Sequence, residues 1–417
     1  GRPVFIAEDA HGLGRAIAAA LETRGIAAIA APPAELLEWQ DVYTAAGLVI
    51  LADAWENRDA DFLPSAFALL HRLGTDLVDS GRKGGALFST VSRIDGAFGF
   101  QGGGLDEPYQ GGLAGLAKTA ALEWPEVCCH ALDIAPGWEE VEAVAEAIVR
   151  ELVQAGPVEV GLDREERREL SLAPAAYPEG GLNLAPGDVV VATGGARGVT
   201  AECLCALAGR APLTLVLLGR SPAPTPEPEW LSSLTSAADM KRALLAHHPW
   251  PDGTPTPAQL EAVYQGYANG REIAGSIQRM MDAGATVHYA TADVRDAEAV
   301  GRVLDEVRAE HGPVKALIHG AGILEDRFIV DKTPDQFARV LETKVRGLEV
   351  LLEALESDPL AYLILFSSVA ARMGNRGQAD YAAANEVLNK IAHKTAALRP
   401  SCRVISFNWG PWDGGMV

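Results

Sequence analysis

The stretch Asp188-Val189-Val190-Val191-Ala192-Thr193-Gly194-Gly195-Ala196-Arg197-Gly198-Val199-Thr200 decides how this chain folds. Its apolar run reads as a buried strand. A loop of small residues follows, and then an alanine- and leucine-rich helix predicted over 201–208. Strand, glycine loop and helix in that order are the context a dinucleotide fingerprint requires. Glycine permits the tight turn and lets the backbone approach a pyrophosphate, while the helix N-terminus offers free N–H groups and positive potential. The third small position is Thr200, not glycine.

Downstream, a strand over 213–218 runs into Gly219-Arg220-Ser221, where a carboxylate for ribose hydroxyls commonly stands. A cation there, helped by Arg197 in the loop, suits the extra 2′-phosphate of NADPH. Further strands are predicted over 286–289, 316–319, 362–366 and 403–407, which makes this half a parallel α/β sheet. The piece over about 222–283, with Pro222, Pro224, Pro226 and Pro228 and helical from 257, is too long for a simple crossover and should carry its own helices.

Upstream, strand-like 4–7, 48–51, 87–91 and 130–134 alternate with helical 14–21, 62–73 and 112–124, again a βαβ pattern, with a glycine loop at Gly102, Gly103 and Gly104. A charged run over 163–169 gives way to Pro174, Pro178, Gly180, Gly181 and Pro186, which predicts a linker. The expected domains are 1–185 and 186–417. They share a repeat: Phe88-Ser89-Thr90-Val91 answers Phe366-Ser367-Ser368-Val369, and Lys118-Thr119-Ala120-Ala121-Leu122 answers Lys394-Thr395-Ala396-Ala397-Leu398. The fold class is therefore α/β, with two Rossmann-like subdomains, each a doubly wound parallel sheet. In the first copy the loop reads Ala7-Glu8-Asp9-Ala10-His11-Gly12, with two carboxylates where Gly194 and Gly195 stand. They repel a pyrophosphate, and no tyrosine matches Tyr381, so this copy is expected to be a structural partner.

Ser368 closes an apolar run and Tyr381 opens a helix, with Asn385 one turn on, on the same face. A ketone takes hydride more readily when its oxygen is hydrogen-bonded and receives a proton. Tyr381 is the candidate donor, Ser368 the anchor of the oxygen, Lys344 the cation that acidifies the phenol, and Asn385 the group that holds the lysine or a water chain. Each alone is more often packing, a solvated charge or a helix cap; together they outweigh that reading.

The formal charge of -21 over 417 residues excludes wrapping nucleic acid or an anionic membrane, and with 48% hydrophobic residues no run has the length of a membrane span. Five cysteines without paired metal spacing fit a reducing cytosol and predict no metal. The opening 1–6 lacks a signal-peptide layout, and the chain reads as a piece of something longer.

The glycine loop, Gly219-Arg220, Asp293-Val294, His319-Gly320-Ala321-Gly322, Lys344, Phe366-Ser367-Ser368, Tyr381-Ala382-Ala383-Ala384-Asn385 and Asn408-Trp409-Gly410-Pro411-Trp412 resemble the ketoreductase domain of polyketide synthases. That domain is a short-chain dehydrogenase/reductase with a degenerate Rossmann-like subdomain before the catalytic one. The run 111–119, Glu123-Trp124-Pro125 and the long insertion look most like polyunsaturated-fatty-acid and enediyne-type iterative synthases. The resemblance implies Tyr381 as proton donor, Ser368 as carbonyl anchor, and Lys344 with Asn385 as ribose-holding relay. Lysine comes from the earlier helix instead of the position four after the tyrosine. It implies a cofactor site at Thr193, Gly194, Gly195, Arg197, Gly198, Val199, Arg220, Ser221, Asp293, Val294, Gly320, Ala321, Gly322 and Pro411. Leu324-Glu325-Asp326 resembles the Leu-Asp-Asp motif of D (3R)-alcohol formers, with glutamate at its middle position. Met373 stands where the opposite class has tryptophan.

The expectation is NADPH-dependent reduction of a 3-oxoacyl group on acyl carrier protein, with other domains of the same synthase as partners and the family's lid beginning near 414–417. A silent docking module and a stand-alone dehydrogenase for a small alcohol are the alternatives.

Overall fold

The computed structural model describes residues 2–39, 44–102, 105–176, 181–251 and 253–412. Gly103, Gly104, Pro178, Gly180 and the closing run 414–417 lie outside them.

Branched and leucine-rich runs form strands, and alanine-rich amphipathic stretches form the helices between them. The first elements are β1 (Val4–Ala7), α1 (Leu13–Glu22), β2 (Ala28–Ala31), α2 (Pro33–Glu38), β3 (Gly47–Leu51), α3 (Phe62–Gly81), β4 (Leu87–Ser92), α4 (Gly111–Glu123), β5 (Cys128–Ile134), α5 (Val141–Leu152), β6 (Glu159–Leu162) and β7 (Arg167–Glu169). Then come β8 (Val189–Thr193), α6 (Gly198–Ala208), β9 (Thr214–Gly219), α7 (Glu229–Ser232), α8 (Ala237–His247), α9 (Pro257–Asp282), β10 (Thr286–Thr291), α10 (Ala297–His311) and β11 (Val314–His319). The last are α11 (Pro334–Leu341), a π-helical turn over Glu342–Arg346, α12 (Gly347–Ala354), β12 (Tyr362–Ser368), α13 (Val369–Met373), α14 (Ala379–Leu398) and β13 (Arg403–Trp409). The chain is thus mixed α/β, with two Rossmann-like parallel-sheet regions.

By compactness the chain groups into two units. One joins Gly1–Gly180, Gly322–Arg346 and Ile364–Gly410; the other joins Gly181–Ala321, Gly347–Leu363 and Pro411–Val417. This grouping cuts across the boundary near 185, because the segments around Lys344 and Tyr381 pack with the first 180 residues. The strands β1–β7 end at Glu169 and β8 starts at Val189, so a domain boundary near 185 remains our proposal on sheet membership.

In the first unit the sheet order is β2-β1-β3-β4-β5-β6-β7, parallel except for the antiparallel edge strand β7. Ile6, Val49, Leu132 and Ile148 lie in its core. Helices α4 and α14 meet backbone to backbone. A Cβ on Gly115 would stand 2.6 Å from the Ala383 nitrogen, which explains the small-residue runs at 111–117 and 382–384.

In the second unit β10-β9-β8-β11 are parallel neighbours. The chain leaves β8 through β9 and β10 on one side and returns to β11 on the other, so the carboxyl ends of β8 and β11 form a topological switch point where such sheets bind ligands. The insertion carries α7, α8 and the 26-residue α9, which starts in a capping box at Thr256 and Gln259. Helix α8, N-capped by Ser236, is a segment the sequence reading leaves out. Among the described residues no helix is long and apolar enough to cross a membrane.

Candidate active site

Lys344, Ser368, Tyr381 and Asn385 all lie in the first unit. Lys344 sits on the π-helical turn between α11 and α12 instead of on one continuous helix, and such turns mark functional positions. It is 2% exposed, its Nζ donates to the Phe366 carbonyl at 3.1 Å, and it lies 5.1 Å from the Tyr381 ring centroid. Burial pulls its ammonium down to about 8. Ser368 ends β12 and also N-caps α13, its Oγ accepting the Ala370 N–H at 3.1 Å. The cap holds the hydroxyl in place and leaves its proton to be donated elsewhere. Burial pushes the Tyr381 phenol above its usual value; the Asn385 amide pulls it back, the Asp326 carboxylate raises it and Ser368 lowers it. Asn385 is fully buried and donates to the Tyr381 carbonyl at 2.8 Å, while its Oδ1 has no hydrogen-bond partner among the described residues. An orphaned buried acceptor on the side chain that also bears on the Tyr381 phenol suits a proton relay.

The Leu324-Glu325-Asp326 segment lies in the same unit. Glu325 pairs with Arg339 at 2.8 Å, so the glutamate at the motif's middle position is engaged by α11. Asp326 accepts from Gln378 Nε2 at 2.9 Å, just ahead of α14. Met373, at the end of α13, is more than half exposed. Sequence reasoning missed Asp380 and Lys332. They form a fully buried pair at 2.7 Å; Lys332 also donates to the Glu325 carbonyl, and Asp380 Oδ1 accepts the Tyr381 N–H at 2.8 Å. Burial raises Asp380 to about 6 against the pull of Lys332. A carboxylate adjoining the tyrosine was the available signal; Lys332 has none.

The second unit holds the glycine loop. Gly194 and Gly198 have φ of 65° and 58°, and a Cβ on Gly194 would stand 3.0 Å from the Gly320 oxygen. Thr193 Oγ1 accepts the Ala321 N–H at 3.1 Å and bonds His319 Nδ1 at 2.9 Å. The loop and the end of β11 are thereby fixed against each other, with no space at Gly194 for a side chain. Val199 lies half-buried in the first turn of α6. Arg220 is exposed after β9, and the Ser221 carbonyl accepts from Tyr289 at 2.7 Å. Asp293 is held below its usual value first by its bonds to Arg295, with Arg220 adding to the pull, and Val294 packs under Gly347. Pro411 is exposed, and Gly322 belongs to the first unit, beside Lys344. Within the second unit, the small residues of the loop and of the β11 end are of the kind that accommodates a dinucleotide backbone. One group already competes for it: Glu272 of α9 accepts the Gly198 N–H at 2.9 Å and pairs with Arg197 at 3.1 Å. The long-range approach of α9 left no trace in the sequence.

The first copy is closed by its own carboxylates. Asp9 Oδ1 accepts the Gly14 N–H at 3.1 Å and Oδ2 the His11 N–H at 3.2 Å, so a side chain occupies the N-terminus of α1 where an anion would sit. Ser89 and Thr90 are buried inside β4, whose end is Ser92, so the match of Ser89-Thr90 to Ser367-Ser368 at the end of β12 is out of phase. The Ser92 hydroxyl donates to Asp133, which also accepts from Ile94, Asp95, Ala97 and Phe98 and staples the following loop shut.

Residues 257–414 match the family model described as KR domain. The chain is 35% identical over 352 residues to a polyunsaturated fatty acid synthase polypeptide of Thraustochytrium sp., covering 79% of this chain and 12% of that protein. It is 33% identical over 145 residues to polyketide synthase PksN of Bacillus subtilis, covering 34% of this chain and 3% of that protein. At 352 residues the first match takes in part of the amino-terminal copy. The chain spans only a small part of the length of either relative. Among solved structures, a ketoreductase domain from the bacillaene assembly line superposes over all of this chain and 82% of its own, with a TM-score of 0.66 and 23% identity. An A-type ketoreductase from a modular polyketide synthase superposes over 99% of this chain and 79% of its own, with a TM-score of 0.70 and 23% identity. The fold is that of these ketoreductases. Domains of this type use a nicotinamide cofactor.

Proposed function

Because the chain carries a KR domain of the kind found in polyketide and polyunsaturated fatty acid synthases, we propose that it reduces the β-ketone of a 3-oxoacyl intermediate on acyl carrier protein. NADPH is the coenzyme, the product is the D (3R) alcohol, and the setting is a cytoplasmic multidomain synthase. The observation that carries this reading is the joint burial of Lys344, Ser368 and Asn385 around the Tyr381 ring.

In the reaction, Ser368 and Tyr381 hydrogen-bond the ketone oxygen and hold it in place. NADPH supplies the hydride when bound. As negative charge grows on the oxygen, the Tyr381 O–H proton transfers to it, and the phenolate is reprotonated through Lys344 and the relay at Asn385. Arg220 and Arg197 would hold the 2′-phosphate, the glycine loop the pyrophosphate, and Asp293 the adenine. Asp326 and Glu325 stand on the substrate side and select the face of the ketone.

The test is NADPH oxidation with carrier-bound and free 3-oxoacyl thioesters, with chiral analysis of the product. General-acid loss in Tyr381→Phe should cost roughly 10²- to 10⁴-fold in turnover, with NADPH affinity unchanged and tighter than that for NADH. A chain that binds NADPH yet oxidises none with any 3-oxoacyl thioester, or a Tyr381→Phe variant as fast as wild type, overturns the reading. Failure to bind NADPH favours a silent docking module.

A further inference from the structure

Glu123, the last residue of α4, is bonded through both carboxylate oxygens to two loops far from it in sequence. Its Oε2 accepts the Ile329 N–H at 2.7 Å and its Oε1 the Gly377 N–H at 2.8 Å. Ile329 lies three residues after Asp326, and Gly377 lies four before Tyr381. The loops also bond each other, Arg327 N–H to the Gly377 carbonyl at 2.9 Å and Gln378 to Asp326 at 2.9 Å. Neighbouring contacts keep the carboxylate on target: the Arg376 guanidinium donates to the Leu122 carbonyl at 2.9 Å, and His71 Nδ1 meets the Ile329 carbonyl at 3.0 Å.

We propose that Glu123, on the copy that lacks a catalytic set, is a positioning residue that fixes the Glu325-Asp326 loop against the loop leading into Tyr381. It thereby sets the face from which the ketone oxygen meets the phenol. The proposal rests on the ketone-reduction reading above. A carboxylate is required because two N–H donors face it, one per oxygen. Glutamine has a single acceptor and turns an NH₂ group toward the other N–H, while aspartate is a methylene short of bridging both. With one tie lost, one of the two loops keeps only its remaining contacts, and the spacing between Asp326 and Tyr381 relaxes.

The experiment uses the whole chain with Glu123→Gln and Glu123→Asp, and reads amide hydrogen exchange, NADPH affinity, steady-state kinetics and product configuration. Both variants should exchange faster at 322–332 and 374–380 while NADPH affinity stays within about twofold. The kcat for a 3-oxoacyl thioester should fall roughly 10- to 100-fold, the effect expected of a misplaced reacting group, with a smaller change in KM and an increased share of the opposite alcohol. Unchanged exchange in those two segments overturns the clamp, and in the wild-type chain rapid exchange at Ile329 and Gly377 does so even if neither variant folds. Faster exchange with unaltered kcat and configuration overturns the positioning role. A wild-type chain that reduces nothing refutes the ketone-reduction reading instead, and exchange still decides whether the clamp exists.

Discussion

Replacing Glu386 with glutamine removes one charge from a buried network that ties α14 to α4. Glu386 Oε1 accepts from Lys118 at 2.7 Å and from Arg372, and Lys390 lies 3.5 Å from Oε2; Lys118 and Arg372 also reach Glu159, at 2.7 and 3.3 Å. Glu386 and Lys390 are each 1% exposed. The neighbouring cations, Lys390 foremost, hold the Glu386 carboxyl far below its usual range against the cost of burial. After Glu386→Gln, three cations surround the single carboxylate of Glu159. Breaking a buried pair by removing one partner costs about 3–5 kcal/mol. An unfolding entropy of about 2.1 cal/mol/K per residue makes this a fall of roughly 3–6 °C in Tm for a chain of this length. Residue 386 lies about 140° around α14 from Tyr381 at 3.6 residues per turn, so turnover at 25 °C should stay near wild type. Thermal melting by circular dichroism, with NADPH oxidation measured well below Tm, tests both parts. Adding Lys118→Met to Glu386→Gln should recover part of the loss, because one uncompensated cation leaves with it. A Tm within 1 °C of wild type would refute the argument that this network is desolvated and mutually dependent.

Two further outcomes follow from the site. Glu272→Ala frees the Gly198 N–H and Arg197 from a competing carboxylate; the pair is about half exposed, so the gain is about 0.3–1 kcal/mol. NADPH titrated by fluorescence at low salt should bind roughly 2- to 5-fold tighter, the advantage should shrink as salt rises, and weaker binding would show that Glu272 assists the coenzyme. For Lys344, burial sets the folded-state value at about 8 against an ordinary 10.5, so between these the unfolded chain keeps a proton that the folded chain has shed. Stability from this group therefore rises with pH across that window and carries a cost below it. Denaturant unfolding at pH 7.5 and 9.5 should show the increment in wild type and lose it in Lys344→Met; equal slopes would place the ammonium in water.

Much of the site was legible locally. The sequence Thr193-Gly194-Gly195-Ala196-Arg197-Gly198 predicts its own left-handed turns, and Gly194 and Gly198 adopt them. Tyr381 and Asn385 share a helix face because four residues make about one turn. Carboxylates at Glu8 and Asp9 announce a loop hostile to phosphate; that Asp9 itself caps α1 sharpens the same chemistry. The phase of the internal repeat is not legible from a four-residue match: pairing Ser89-Thr90 with Ser367-Ser368 puts Thr90 opposite the end of β12, whereas β4 runs on to Ser92. The helix expected around Lys344 is interrupted by a π turn over Glu342–Arg346, in which Thr343, Lys344 and Val345 are buried.

By itself, the sequence determined the α/β class, the duplicated architecture and which copy keeps a glycine loop, and it pointed to Ser368, Tyr381, Lys344 and Asn385 as the set our proposal makes catalytic. These rest on hydrophobic period, glycine conformation and residue chemistry, all written within a few turns of chain. Only the tertiary structure decided what surrounds them: Glu386 met by Lys118 across 268 residues, Gly377 met by Glu123 across 254, and Glu272 brought to Gly198 across 74. Such partners are chosen by packing, since a charge is buried only where the folded chain offers its complement, and no local pattern records which distant residue that will be.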